Sequence, residues 1–303
     1  MLSSNNEWGK LKEIVVGSAS YANWPRYDKV FKKESEKTSW KETPVPSGPV
    51  PQYIIDEANE DLEILSNTLK ELDVIVHRPW HQNYQNLDGM YNYCPRDRLL
   101  VAGEDIVDVS MMYPCRNMEI TSLCDVVDRA KKVHEMPKYD DMVLDAANIC
   151  RLGDTWLYLL SDSGNAKALY WLRDQFPHIN IESCNFYSGV HIDSTITPLR
   201  EGLVLLNGSR VNEGNCPMTF RDWEKIYIND VVAQDFYQYP YASKWIALNM
   251  LSVDEETVII DKKQTDIIRM LEKRGFRCIP LELRHSRTLG GGFHCVTLDL
   301  VRE

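Results

Sequence analysis

Short apolar runs alternate with amphipathic stretches along the whole chain, and this alternation restricts the fold more than any other feature. Residues 13–17 (EIVVG) read as a strand. Residues 53–72 carry Ile54, Ala58, Leu62, Leu65, Leu69 and Leu72 at spacings of three and four, which marks a helix with one apolar face. A strand over 74–77 follows, then two short strands over 99–102 and 106–109 around Gly103, and a helix of weaker periodicity over 120–135. The second half continues with a strand over 156–160, a helix over 166–176, and strands over 179–183, 194–198 and 203–206. A strand over 258–260, a helix over 264–273 stopped by Gly275, and strands over 277–283 and 294–301 complete the series. Strand, helix, strand, strand thus recurs, an α/β pattern that suits repeated units closing around an axis or an open sheet. The Pro-rich stretch 44–51 (PVPSGPVP) is expected to be a loop inside one domain spanning 1–303, not a linker.

The net charge of −11 repels nucleic-acid phosphates and anionic lipid, so neither is expected as a partner, and it favours a cationic substrate weakly. Eight cysteines are scattered without a CxxC pair and read as free thiols in a reducing compartment. The polar start MLSSNNEWGK reads as neither signal nor transit peptide. No apolar run approaches the ~20 residues that span a bilayer. A cytoplasmic protein is expected, with the question of a homo-oligomer left open.

Four segments carry residues able to do chemistry. In LGGGFHCV, residues 289–296, three glycines allow sharp turns and close approach, and Cys295 is expected to open a strand beside His294. A cysteine is more commonly a small packing residue. The glycine run is no phosphate loop, because no Lys-Ser/Thr pair and no helix follow it. His191-Ile192-Asp193, if extended, places its two polar side chains on one face, although a satisfied surface pair is commoner. His191, Asp193, His294 and Cys295 are all zinc-binding types, but they lack paired Cys/His spacing, so no metal is expected. Asp97 in PRD and Asp145 in DAAN would each ordinarily be a turn or cap residue.

Taken together, these segments resemble the guanidino-modifying enzymes, most closely the arginine:glycine amidinotransferase family. The likeness runs over nearly the whole chain. It passes from Asn6-Glu7-Trp8 through Pro95-Arg96-Asp97, Asp145-Ala146-Ala147, His191-Ile192-Asp193, Arg210 and Ser243-Lys244-Trp245 to 289–295 in the family's order. It implies a five-bladed α/β propeller, the pentein fold, with a central channel. By position it implies Cys295 as nucleophile, His191 as general acid and base, and Asp145 as the orienting partner of His191. Asp97 and Asp193 would grip a guanidinium, Arg210 and Ser243 the amino-acid end of arginine, and Tyr91 would line the channel. Ser188-Gly189-Val190 replaces the family's Asn-Pro-Met, residues 111–119 lack much of its arginine and aromatic character, and Asn148 stands for a usual Asp. The chain also reads as shorter than typical members, without their N-terminal extension. These differences avoid the nucleophile and bear on the acceptor.

The chemistry fits the residue types. Guanidinium carbon is a poor electrophile, so a soft thiolate is the suitable nucleophile and forms a covalent carrier. Two carboxylates match the N–H fork and hold the carbon in place. The expected reaction is ping-pong transfer from L-arginine, releasing ornithine, to an amine acceptor, with glycine implied by the resemblance and no cofactor. The alternatives are an arginine hydrolase or deiminase using water, and a non-enzymatic propeller.

Overall fold

A computed structural model describes residues 1–37, 45–138, 141–189 and 191–303. Five three-stranded sheets and one two-stranded sheet form among them. The five share one hydrogen-bonding scheme, in which a middle strand pairs antiparallel on one side and parallel on the other. In the first, Leu11–Val16 lies between Thr297–Arg302 (antiparallel) and Ile75–His77 (parallel). Asp105–Asp108 lies likewise between Leu99–Ala102 and Val133–Glu135. Thr155–Leu159 lies between Ile149–Arg151 and Asn180–Cys184, and Leu203–Asn207 between Ile196–Arg200 and Glu224–Ile228. Thr257–Asp261 completes the set between Leu251–Ser252 and Arg277–Leu281.

A parallel partner requires a crossover, which explains why helices follow the middle strands. Gln52–Glu71, Ala166–Gln175 and Thr265–Glu272 serve three of the five. In Gln52–Glu71 the buried residues include Ile54, Ala58, Leu62, Leu65 and Leu69, the face predicted from spacing. The middle strand Thr257–Asp261 is buried throughout, as a strand covered on both faces must be. No helix of the described residues is long and apolar enough to cross a membrane.

Three expectations fail locally. The predicted helix over 120–135 is instead a 3₁₀ segment, Pro114–Leu123, a single turn, Cys124–Val127, and the strand Val133–Glu135. Its weak periodicity could not hold a long helix, and pairing with Asp105–Asp108 overrode local preference. The Pro-rich loop contributes Gly48–Pro49, which pairs with Asn23–Trp24, while Pro44 lies outside the described residues. The last strand starts at Thr297 and not at His294.

Candidate active site

Cys295 lies in a turn just before the Thr297–Arg302 strand and does not open it. Pairing begins at Thr297, opposite Val16; before it, the Val296 N–H donates to Gly292 O at 2.9 Å. Asn249 secures the cysteine from both ends. Its Oδ1 accepts the Cys295 N–H at 2.9 Å, and its Nδ2 donates to Sγ at 3.2 Å. The thiol donates to Asp193 Oδ2 at 3.1 Å. Burial, together with Asp193 and Asp97, pushes the thiol well above the ordinary cysteine range.

His191 is not extended. It has φ +58, a left-handed conformation that strains a residue with a side chain. The Tyr187 hydroxyl donates to His191 O, and the Ile192 N–H donates to Ala147 O at 3.1 Å. Ile192 is fully buried, so the segment is pinned by its middle residue while His191 and Asp193 both face one cavity. Ring Nε2 lies 3.1 Å from Asp145 Oδ2, and Nδ1 lies 3.6 Å from Asp97 Oδ1. Asp145 stands at the cap position of the Ala146–Asn148 turn yet makes no cap bond; its Oδ1 takes the Met112 N–H at 2.8 Å. Burial alone would lower His191, but Asp97, Asp145 and Asp193 outweigh it and raise the ring to about 9.

Asp97 sits in the buried helical turn Pro95–Arg98. Its Oδ2 accepts from Arg116 Nη1 at 2.8 Å, and Arg116 is braced in turn by Glu119 at 2.8 and 2.9 Å. Burial raises Asp97, against the pull of His191 and Arg116. Asp193 is also fully buried, but His294, whose Nδ1 is 2.9 Å from Oδ2, and His191 hold it down to about 2. The remaining oxygens, Asp97 Oδ1 and Asp193 Oδ1, are buried without hydrogen-bond partners. Cys295 Sγ, a His191 ring nitrogen and an Asp97 oxygen lie within 4.8 Å of one another. Two carboxylates, each with one oxygen lacking a hydrogen bond, beside a thiol suit a planar cation with several N–H groups. His191 and Cys295 thus form, with Asp97, a group whose atoms could also hold a metal ion, whereas the two ring nitrogens of His294 face Asp193 and Glu7.

A cavity of about 580 Å³ is lined by Cys295, His191, Asp193, Arg210, Ser243, Lys244 and Arg287, among others. Arg210 stacks on the Tyr187 ring at 4.1 Å and donates to Thr195 Oγ1 at 2.8 Å and Ser243 Oγ at 3.5 Å. Tyr91 stands one layer behind the thiol loop, with its hydroxyl donating to Leu289 O at 2.7 Å and its ring facing Arg116.

Inosamine-phosphate amidinotransferase 1 of Streptomyces glaucescens is 37% identical over 337 residues, covering 100% of this chain and 97% of that protein. The chain belongs to the amidinotransferase family. The solved structure of the inosamine-phosphate amidinotransferase StrB1 from Streptomyces griseus superposes with a TM-score of 0.94 at 37% identity, over 100% of this chain and 97% of that one. The mitochondrial glycine amidinotransferase of Xenopus tropicalis is 28% identical, over 99% of this chain and 82% of that protein. No family model matches the chain. The fold is the pentein fold expected from the resemblance.

Several residues of the amidinotransferase site had no role before the structure. Asn249 gave no signal, being 46 positions from Cys295 in an unremarkable apolar stretch. Arg116 and Glu119 form an i,i+3 pair that a helix-face reading could have found. Glu7 carried the resemblance, but its contacts lie 144 positions away at Arg151 and 287 away at His294.

The glycine run makes the expected sharp turn, with Gly290 on the cavity wall, and it also makes room for the protein's own side chains. Gly290 has φ +81 and ends the Ser286–Leu289 turn. A Cβ on Gly291 would lie 2.4 Å from Cys94 Sγ, and one on Gly292 would lie 2.6 Å from Asn249 Cβ. The run thus admits the protein's own side chains behind Cys295. Asn249 Cβ cannot rotate away, so Gly292→Ala should displace Asn249 and slow amidino transfer roughly a hundredfold. Product formation beside thermal unfolding checks this; full activity would show that Asn249 tolerates the shift.

Proposed function

We propose that the chain takes an amidino group from L-arginine onto Cys295, releases L-ornithine, and passes the group to an amine that bears an anion. The two oxygens without a hydrogen-bond partner, Asp193 Oδ1 and Asp97 Oδ1, the latter 3.6 Å from the His191 ring, carry the donor half of this reading. Guanidinium is the planar cation whose N–H groups fill such acceptors. Its carbon then rests against Sγ, which removes much of the entropic cost of attack. Its charge offsets the carboxylates that hold the thiol up, and the thiol proton leaves to solvent as arginine enters. Sulfur bonds to the guanidinium carbon, the bond from that carbon to the ornithine nitrogen breaks, and cationic His191 protonates that nitrogen. The acceptor amine next gives a proton to His191 and attacks the same carbon, and the C–S electron pair returns to sulfur. Thiol, carboxylates and imidazole supply every step, so the scheme requires no metal or organic cofactor. Eight free cysteines favour a cytoplasmic site of action.

Arg210 and Ser243 suit the donor carboxylate. Arg287 is a second guanidinium on the cavity wall, bonded to the carbonyls of Gln234 and Ala242 at 2.9 and 3.2 Å. Among the described residues neither arginine has a carboxylate within 4.0 Å, the ion-pair distance, and burial lowers both. Lys244 also reaches the lining but is paired with Asp230 at 2.6 Å, so the surplus rests on the two arginines. A phosphorylated amine suits this surplus better than glycine, the acceptor implied by the resemblance alone. The relative at 37% identity is named for inosamine phosphate. Gly189 lines the cavity, while Val190 lies outside the described residues. In the other divergent segment, Met112 and Arg116 support Asp145 and Asp97.

Arginine should be incubated with phosphorylated aminocyclitols, glycine, lysine and water, with products identified by mass spectrometry. Ornithine with a guanidino phosphoester is expected. Efficient glycine turnover would overturn the phosphate preference, and citrulline or ammonia would overturn transfer in favour of hydrolysis. The donor assignment has its own check. Agmatine, lacking the carboxylate, should be used roughly a hundredfold less well than arginine. Arg210→Ala should narrow that gap by weakening arginine; an unchanged ratio would remove Arg210 from donor binding.

A further inference from the structure

His294 is absent from the wall of the cavity that holds Cys295 and instead lines a small pocket with Glu7 and Asp193, behind the thiol. Its Nδ1 lies 2.9 Å from Asp193 Oδ2, the oxygen that also accepts the Cys295 thiol. Its Nε2 lies 3.2 Å from Glu7 Oε2. Each ring nitrogen therefore faces a buried carboxylate, and only a ring with a proton on both donates to both. Glu7 cannot swing away. Its two oxygens receive Arg151 Nε and Nη2 at 3.0 Å each. Arg151 is tied to Asp299 at 2.7 Å. Arg96 donates to His294 O at 2.8 Å, pairs with Asp299, and lies 3.6 Å from Glu7. The His294 ring is thus clamped in place and in orientation.

We propose that His294 is a positioning residue, a doubly protonated imidazole held between Glu7 and Asp193 that aims Asp193 and offsets negative charge at the Cys295 thiol. With Oδ2 taken by His294 and the thiol, Oδ1 is the Asp193 oxygen left without a hydrogen-bond partner. The charged groups near the thiol are Asp193, Asp97 and His191. Cys94 is the other titratable neighbour. Two carboxylates disfavour the thiolate, and a cation bonded to one of them relieves that opposition. This inference rests on Cys295 being the nucleophile.

The test reads the thiol directly, through the pH dependence of iodoacetamide alkylation at the Cys295 peptide, followed by mass spectrometry. In His294→Gln the alkylation midpoint should move up by about one unit, so that alkylation below the midpoint slows roughly tenfold. Glu7→Gln distinguishes the clamp from simple charge removal. Deleting a buried negative charge should by itself move the midpoint down, whereas losing the group that keeps His294 cationic moves it up. The double variant should shift no further than the larger single one. A folded His294→Gln protein with a wild-type midpoint, a downward shift in Glu7→Gln, or additive shifts would each overturn the proposal. Should His294→Gln fail to fold, Glu7→Gln decides alone by its sign. Wild-type protein that is alkylated normally but never amidinated by arginine would instead defeat the nucleophile assignment, and the positioning role with it, while the alkylation midpoints still report the charge relation between His294 and the thiol.

Discussion

Incubated with L-arginine and no acceptor, the wild-type protein should gain one amidino group on the peptide holding Cys295, and Cys295→Ser should gain none. The thiol lies at the cavity, with Sγ held by Asn249 and Asp193, where the proposed scheme needs its soft nucleophile. A serine hydroxyl fits the same space but is far less nucleophilic toward a resonance-stabilised carbon, so turnover should fall by roughly 10⁴-fold or more. The other seven cysteines serve as internal controls; Cys94, the nearest buried thiol, is also pushed well up by burial and Asp97. The substitution leaves the backbone bond from Cys295 N–H to Asn249 intact, so cooperative unfolding should persist. An amidino group found on another cysteine, or turnover surviving in Cys295→Ser, would end the covalent scheme.

The second large effect belongs to His191 and Asp145. His191→Gln should slow amidination by roughly 10²–10⁴-fold, the usual range for a lost general acid. Because the ring is raised to about 9, it is cationic below that pH and can protonate the leaving nitrogen there. For the free enzyme, kcat/KM for arginine should therefore fall as pH rises through about 9, and this limb should vanish in His191→Gln. The same shift bears on stability. The folded ring binds its proton more tightly than the ordinary 6.5, so its contribution is full below about pH 6.5 and is lost as pH rises through about 9. Asp145→Asn keeps the shape but weakens the hold on Nε2, and it should lower kcat roughly a thousandfold with little change in KM. A change confined to KM would make Asp145 a substrate contact instead.

Much of the fold was readable because it depends on local patterns. The apolar face of Gln52–Glu71 and the short middle strands follow from spacing alone. Where the pattern was weak, as over 120–135, pairing with a distant strand decided the outcome. The site divides in the same way. Cys295, His191, Asp193, Asp97 and Asp145 stood out because their segments matched a family, though the turn at His191 did not, since φ +58 is imposed by contacts with Tyr187 and Ala147. Asn249 and Glu7 act across long stretches of chain, and no local rule joins an asparagine in an apolar run to a thiol 46 positions on.

Pairing of Thr297–Arg302 with Leu11–Val16 has a kinetic consequence. Val16 meets Thr297, two residues beyond Cys295, so the turn that seats the sulfur is anchored by a contact of very long range. Loop closure of that length is entropically costly and forms late unless other sheets have already shortened the effective distance. During refolding, the four sheets built from residues 99–281 can form from contacts nearer in sequence, while the first sheet waits for both of its outlying strands. Recovery of Cys295 reactivity should therefore lag behind recovery of helical and strand signal, making the thiol a reporter of the last step of assembly.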